Sequence, residues 1–306
     1  MAPSLSIVVV VYDMVREFPR TLRTLAPDYQ QGIDAGDYEV IVVDNGSPAP
    51  IDECVLKAHP DLDVTSIRLE DAPASPARAA NTGLARARGE LVGLVVDGAR
   101  MASPGLLREA RRAAGVAPRP VVATLGWHLG STRHSELPAG SGYDQRVEDE
   151  LLDTVDWERD GYRLFEISTF ASSSARGWFG PMGESSALFM PAGLWRELDG
   201  LAEEFTLPGG GLVNHDLFRR ACELEGTQLV VVLGEGTFHQ FHGGAATSRL
   251  LDWDAMHADY VAIRGTPYRP PEDEPVYVGT VPTAVLPHLG ASVASAIARR
   301  AKGRPR

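Results

Sequence analysis

Apolar positions in the first third of the chain fall into two patterns. Leu5 to Val11 (LSIVVVV), Glu39 to Val43 (EVIVV), Val64 to Leu69 and Leu91 to Val96 (LVGLVV) are short, β-branched runs. In the first, second and fourth of these the apolar residues are nearly continuous, as in strands buried on both faces. Between them lie helical spacings. Phe18, Leu22 and Leu25 share one face of a predicted helix from Met14 to Leu25. Ser75-Pro76 and Ser103-Pro104 each read as an N-cap followed by proline at the first helical position, with Gly89 just past the first of these helices. Strands alternating with helices predict a mostly parallel sheet flanked by helices.

Beyond a fifth strand, Val121 to Leu125, the pattern loosens. Residues 129–182 are rich in Ser, Gly and Asp and lack long periodicity, as expected of a substrate-facing region. Ser186 to Met190 and Gln228 to Leu233 read as further strands, with a helix from about Asn214 to Glu225 between them. A helical stretch from Ala255 to Ile263, a Pro/Glu-rich linker at 267–275 and an Ala-rich terminal helix complete the chain. The expected division is a ligand-binding part (1–125), a second part of the same domain carrying acceptor and catalytic groups (126–244), and a helical extension (245–306).

Composition narrows the possibilities. The 306 residues carry 41 acidic and 29 basic side chains, a formal charge of −12. Such a balance argues against nucleic acid as a partner, which calls for a basic footprint. Cys54 and Cys222 are too few and too far apart for a disulfide framework, so a reducing cytoplasm is expected. The apolar run ending at Val11 is far short of the roughly 20 residues of a membrane span, and no basic segment precedes it. Arg299, Arg300, Lys302, Arg304 and Arg306 form a basic tip that could touch an anionic membrane surface.

In an open parallel sheet, ligands bind beyond the carboxyl ends of the strands. Asp13, Asp44 and Asp97 stand at three such ends. Alone, each would be an ordinary turn or cap residue; together they outline one edge of the sheet.

Three segments then resemble family 2 glycosyltransferases. VVVYDMVREFPRTLRTL (8–24) looks like that family's opening strand and helix, in which a Tyr-Asn pair commonly stands at Tyr12-Asp13. Asp44-Asn45-Gly46-Ser47 is similar to its second-strand motif. Arg78, Asn81, Gly83 and Ala87-Arg88-Gly89 leading into LVGLVVD follow its approach to the metal-binding strand. The resemblance covers residues 5–110 and implies a GT-A fold (Rossmann-like, α/β). It also implies transfer of a sugar from a nucleotide-sugar, UDP-linked by expectation, to a glycan, lipid-linked or small-molecule hydroxyl, with inversion.

The implied nucleotide-sugar residues are Val10, Tyr12, Asp13, Asp44, Arg78, Asn81, Asp97, Gly98 and Arg100. Asp44 would accept from the nucleobase and Arg78 would donate to the nucleotide. Asp97 would hold a divalent cation, Mn²⁺ or Mg²⁺, that neutralises the departing diphosphate. The family's second carboxylate is replaced in Asp97-Gly98-Ala99-Arg100. Either fewer ligands hold the metal, or Arg100 supplies positive charge, or the protein only binds. His242, beside Gly243-Gly244, and then His239 are the imidazole candidates for the metal. Val213-Asn214 occupies the place of the family's Glu-Asp base pair, which leaves Asp216 first and His215 second as candidate base. Trp127 and Trp178 are read as either sugar platforms or core. The alternative function is a catalytically silent nucleotide-sugar-binding partner protein. A nucleotidyltransferase is disfavoured because no Gly-rich basic phosphate loop occurs early in the chain.

Overall fold

β1 (Leu5–Val11) explains its own composition. All seven residues are buried, and alternate side chains enter two different cores. Val8 and Val10 join one apolar cluster while Ile7, Val9 and Val11 join the other. A strand covered on both faces has no polar side to alternate with. The computed structural model describes residues 3–137, 142–242 and 253–302.

The strands are β1, β2 (Tyr38–Asp44), β3 (Val64–Arg68), β4 (Leu91–Val95), β5 (Arg100–Ala102), β6 (Pro120–Leu129), β7 (Ser168–Phe170), β8 (Leu188–Pro191), β9 (Gln228–His239) and β10 (Val276–Gly279). They form one sheet in the order β10-β9-β6-β8-β4-β1-β2-β3, with β5 on β9 and β7 on β6. Pairings among β1, β2, β3 and β4 are parallel, as are β6–β9 and β9–β10. β8 runs antiparallel between β4 and β6 and joins the two parallel halves. The helices are α1 (Glu17–Thr24), α2 (Glu53–Leu56), α3 (Ala77–Arg86), α4 (Leu106–Ala114), α5 (Gln145–Asp153), α6 (Ala192–Leu198), α7 (Val213–Glu223), α8 (Trp253–Arg264) and α9 (Leu286–Lys302). This is the expected α/β architecture. The sheet is continuous through residue 125, where β6 carries on to Leu129. No helix among the described residues is long and apolar enough to cross a membrane.

Several local expectations are corrected. α3 begins one residue late, at Ala77, with Ser75 Oγ accepting from the Ala77 N–H at 3.4 Å. Gly89 lies three residues past the helix end and serves a close approach instead: a Cβ there would stand 2.6 Å from the Ser6 nitrogen. Gly83 lets α3 lie directly on β1, since a Cβ would meet Val8 Cγ1 at 2.3 Å. Ser103 does not cap α4. Its hydroxyl donates to Glu235 Oε2 at 2.5 Å and accepts from the Gly236 N–H at 3.0 Å. Trp127 and Trp178 are buried among Phe165, Phe170 and Phe238, so both are core. The basic tip lies partly outside the described residues, which end at Lys302.

Glu235 accepts also from Tyr162 Oη at 2.8 Å and the Gly105 N–H at 3.1 Å, in full burial. Burial lifts its carboxyl to about 7, against the hydrogen bonds from Ser103, Tyr162 and Gly105. A carboxyl that holds its proton more tightly folded than unfolded costs stability as pH rises. The loss begins near the unfolded value of about 4.5 and is complete above 7, for a total of about 3 kcal/mol. Denaturant unfolding of wild type should show this decline between pH 5 and 8. Glu235→Gln, neutral throughout, should flatten it; an unchanged slope would remove Glu235 as its source.

Candidate active site

The carboxyl ends of β1, β2 and β4 bring three aspartates to one edge. Asp13 follows β1 in the left-handed conformation (φ 52°), a region that Asn and Asp enter more readily than other side-chain-bearing residues. Its N–H donates to Ser47 Oγ at 2.9 Å, which links the ends of β1 and β2. Tyr12 beside it is exposed. Val10 is buried and offers its carbonyl, which accepts from the Gly98 N–H at 2.7 Å. That bond draws the turn after β4 over β1, with no room for a side chain at 98: a Cβ would stand 2.7 Å from Val11 Cγ2. Val10 and Gly98 therefore shape the edge through the main chain.

Asp44 ends β2 in near-complete burial. Oδ1 accepts from the Ser47 N–H at 2.8 Å and Oδ2 from Arg68 at 2.7 Å. Parallel register sets Arg68, the last residue of β3, directly beside Asp44. Arg68 also donates to the Ser47 carbonyl at 2.8 Å. Sequence reading missed it, because only the register of β3 on β2 brings it to Asp44. Asn45, in the turn after Asp44, donates to the Pro73 carbonyl at 3.0 Å, and beyond it lies a cleft of about 320 Å³ lined by Asp71, Ala72, Pro73 and Arg78 and by Glu203 and Thr206. Arg78 is exposed, with one bond to the Asp71 carbonyl at 3.3 Å, and can turn to a ligand.

Asn81 has a different task from the expected one. Its Oδ1 accepts from the Leu201 N–H at 2.8 Å, and its Nδ2 donates to the Leu201 carbonyl at 2.9 Å and to Glu203 at 3.0 Å. These bonds fasten the 200–203 turn to α3, so Asn81 holds the cleft wall.

Asp97 lies past the end of β4, and β9 delivers histidines to it. His239 Nε2 is 2.7 Å from Asp97 Oδ2, His242 Nε2 is 3.5 Å from the same oxygen, and the two imidazole nitrogens are 3.1 Å apart. Burial opposes the Asp97 charge, but the two imidazoles outweigh it and hold the carboxyl well below its usual range. Burial lowers His239; in His242 the Asp97 carboxylate overcomes burial and raises it. One carboxylate and two imidazoles, with ligand atoms within 4.8 Å of one another, could hold a divalent metal ion.

Ala99, where a second carboxylate was expected, is fully buried in the core, so a charge there would lack a solvent or a partner. Its N–H donates to Asp97 Oδ1 at 2.9 Å. Arg100 opens β5 opposite His239, and its guanidinium has no hydrogen-bond or ion-pair partner among the described residues.

Asp216, expected as the base, is 1% exposed and fully engaged. Arg264 reaches both oxygens (2.6 and 2.7 Å) and Arg220 donates to Oδ2 at 2.7 Å. Such a carboxylate is a clamp between α7 and α8, with no open lone pair facing an acceptor. His215, one residue earlier, is half-buried, and its Nδ1 lies 3.6 Å from Glu184 Oε2. Trp253 and Tyr268 stand edge-on to its ring at 5.8 and 5.1 Å. Gly243 and Gly244 lie outside the described residues.

Residues 6–110 match the family model for glycosyl transferase family 2. Residues 1–349 of TarS from S. aureus, solved with UDP-GlcNAc, superpose with a TM-score of 0.56 at 16% identity, over 85% of this chain and 66% of that one. The same TarS fragment without that ligand gives 0.53 at 16% identity, over 77% and 60%. The longer TarS structure gives 0.53 at 15% identity and is covered over 42% of its length. The chain therefore spans less than two thirds of these relatives, and at such identity they speak for the fold. No curated protein matches the sequence.

Proposed function

We propose that this chain, a family 2 glycosyltransferase of GT-A fold, moves a sugar from a UDP-sugar to an acceptor hydroxyl with inversion at the anomeric carbon. The observation that carries this reading is the Asp97–His239–His242 group, with Arg100 opposite His239, on the same sheet edge as Asp44. The nucleobase would lie against Asp44 and Arg68 in the cleft that Arg78 borders, where the buried carboxylate can accept from an imide N–H. The diphosphate would reach Asp97 and Arg100. Asp97, His242 and His239 would hold the divalent cation, which when bound spreads the charge of the departing diphosphate. Arg100 adds donors of fixed geometry to the same charge and takes over part of what the missing second carboxylate would have organised.

For the base we propose His215, with Glu184 orienting the ring and stabilising the imidazolium as the acceptor hydroxyl gives up its proton. His215→Gln should then lower transfer about 10²-fold with nucleotide affinity unchanged. A proportional loss of nucleotide binding would place His215 in the donor site instead. A screen of nucleotide-sugars for hydrolysis and transfer, with and without Mn²⁺, tests the whole reading. If UDP raises the melting temperature but no sugar is released from any donor, the silent binding protein is the better account.

A further inference from the structure

β6 and β9 place His128 directly beside His239 in parallel register, and β5 sets Arg100 on the other side of His239. His134 folds back over them from a 3-10 turn (His134–Glu136), its ring stacked on His128 at 4.4 Å and 5.7 Å from His239. We propose that His128, His134 and His239 form a second cation site, a three-imidazole one that takes a borderline transition metal such as Zn²⁺ independently of the Asp97 carboxylate.

The geometry supports it. The three rings each offer a ligand atom, all within 4.8 Å of one another. Zinc–nitrogen bonds of about 2.0–2.1 Å put tetrahedral ligands roughly 3.3 Å apart, so movements of about 1 Å close the shell. His134 and His239 are 3% and 5% exposed, and the Nδ1 atom of each is buried with no hydrogen-bond partner among the described residues. Orphaned imidazole lone pairs in a core are unfavourable unless something binds them.

The surroundings of His134 are those of a ligand. Its Nε2 faces the Leu129 carbonyl at 3.0 Å, with Glu148 Oε2 behind it at 3.9 Å. A carbonyl or carboxylate on the far nitrogen fixes the proton there and leaves the near lone pair for a metal. His128 Nδ1 already accepts from the His134 N–H at 2.8 Å. Ligation by His128 gives up that one neutral bond, a small loss against a metal–nitrogen bond.

His239 belongs to both groups, and a neutral imidazole has a single lone pair. When Nε2 carries the proton and donates to Asp97, the lone pair is on Nδ1, the atom without a partner. A cation in the three-histidine site therefore withdraws His239 from the Asp97 group. The two sites share a ligand and oppose one another.

Titration of the whole metal-free protein with Co²⁺ tests this without reference to sugar transfer. Wild type, Asp97→Asn and His242→Ala should each show the visible d–d bands of tetrahedral nitrogen-ligated cobalt at one equivalent, displaced by Zn²⁺. Added to Asp97→Asn, which takes the carboxylate from the neighbouring group, His134→Gln, which keeps a donor for the Leu129 carbonyl, and His128→Gln should each lose 10²-fold or more in Co²⁺ affinity. If His134→Gln does not fold by circular dichroism, His128→Gln decides. Absence of the bands from wild type, their loss in Asp97→Asn or His242→Ala, or their persistence in the folded histidine variants overturns the site.

Discussion

Asp97→Asn is expected to fold as wild type does and to transfer sugar about 10³-fold more slowly, with Mn²⁺ no longer stimulating the residue of activity. The substitution is nearly isosteric. The amide oxygen can keep one of the two contacts of the carboxylate, to the Ala99 N–H or to His239 Nε2, so that the His239 tautomer need not change. What disappears is the only carboxylate of the group. A metal clamp on a departing diphosphate supplies several kcal/mol of transition-state stabilisation, so a loss near 4 kcal/mol corresponds to the 10³-fold drop. The buried methyl of Ala99 makes the effect larger than where two carboxylates share the ion. The check is kcat and nucleotide affinity, each with and without Mn²⁺. Activity within tenfold of wild type and still Mn²⁺-dependent would move the metal away from Asp97. A wild type indifferent to metal would hand the diphosphate to Arg100, and Arg100→Ala would then be the damaging change.

The nucleotide-facing half of the sheet was legible because burial on both faces writes itself as unbroken apolar runs. β1, β2 and β4 appear within a residue or two of where LSIVVVV, EVIVV and LVGLVV put them. Asp44 and Asp97 followed from those strands, since a strand's carboxyl end fixes where its next residue stands. β6 was read five residues short because Gly126, Trp127 and His128 interrupt its β-branched run, yet that extension carries His128 to His239. β5 and β7, at three residues each, are too short to show a period.

Side-chain roles were legible only where the partner is near in sequence. Asn81 looks the same as ligand or fastener until Leu201, 120 residues away, is placed against it. Arg68, beside Asp44 only through strand register, was hidden for the same reason. The pairing of His239 with His242, three residues apart, was a local signal, while their place at Asp97 was what the family resemblance implied.

Asp216 is the case in which a motif position and a role part company, and it gives the largest expected change in stability. Its carboxylate faces two guanidiniums, and each does further work. Arg220 donates to the Leu198 and Gly200 carbonyls at 2.8 Å, which fixes the turn that Asn81 also holds. Arg264 brings α8 onto α7 and lies 5.4 Å from the Phe205 ring. Removing the carboxylate strands two largely desolvated cations, the situation in which breaking a buried pair costs about 3–5 kcal/mol. Asp216→Ala should therefore lower the melting temperature by roughly 5–15 °C. Asp216→Asn keeps the shape and one acceptor and should lose less. Its folded fraction should turn over within about tenfold of wild type, because a group locked by two arginines takes no proton from an acceptor. The two readings separate cleanly in that variant. If Asp216→Asn melts like wild type while kcat falls 10³-fold, the carboxylate is the base, and the proton-taking role passes from His215 back to Asp216.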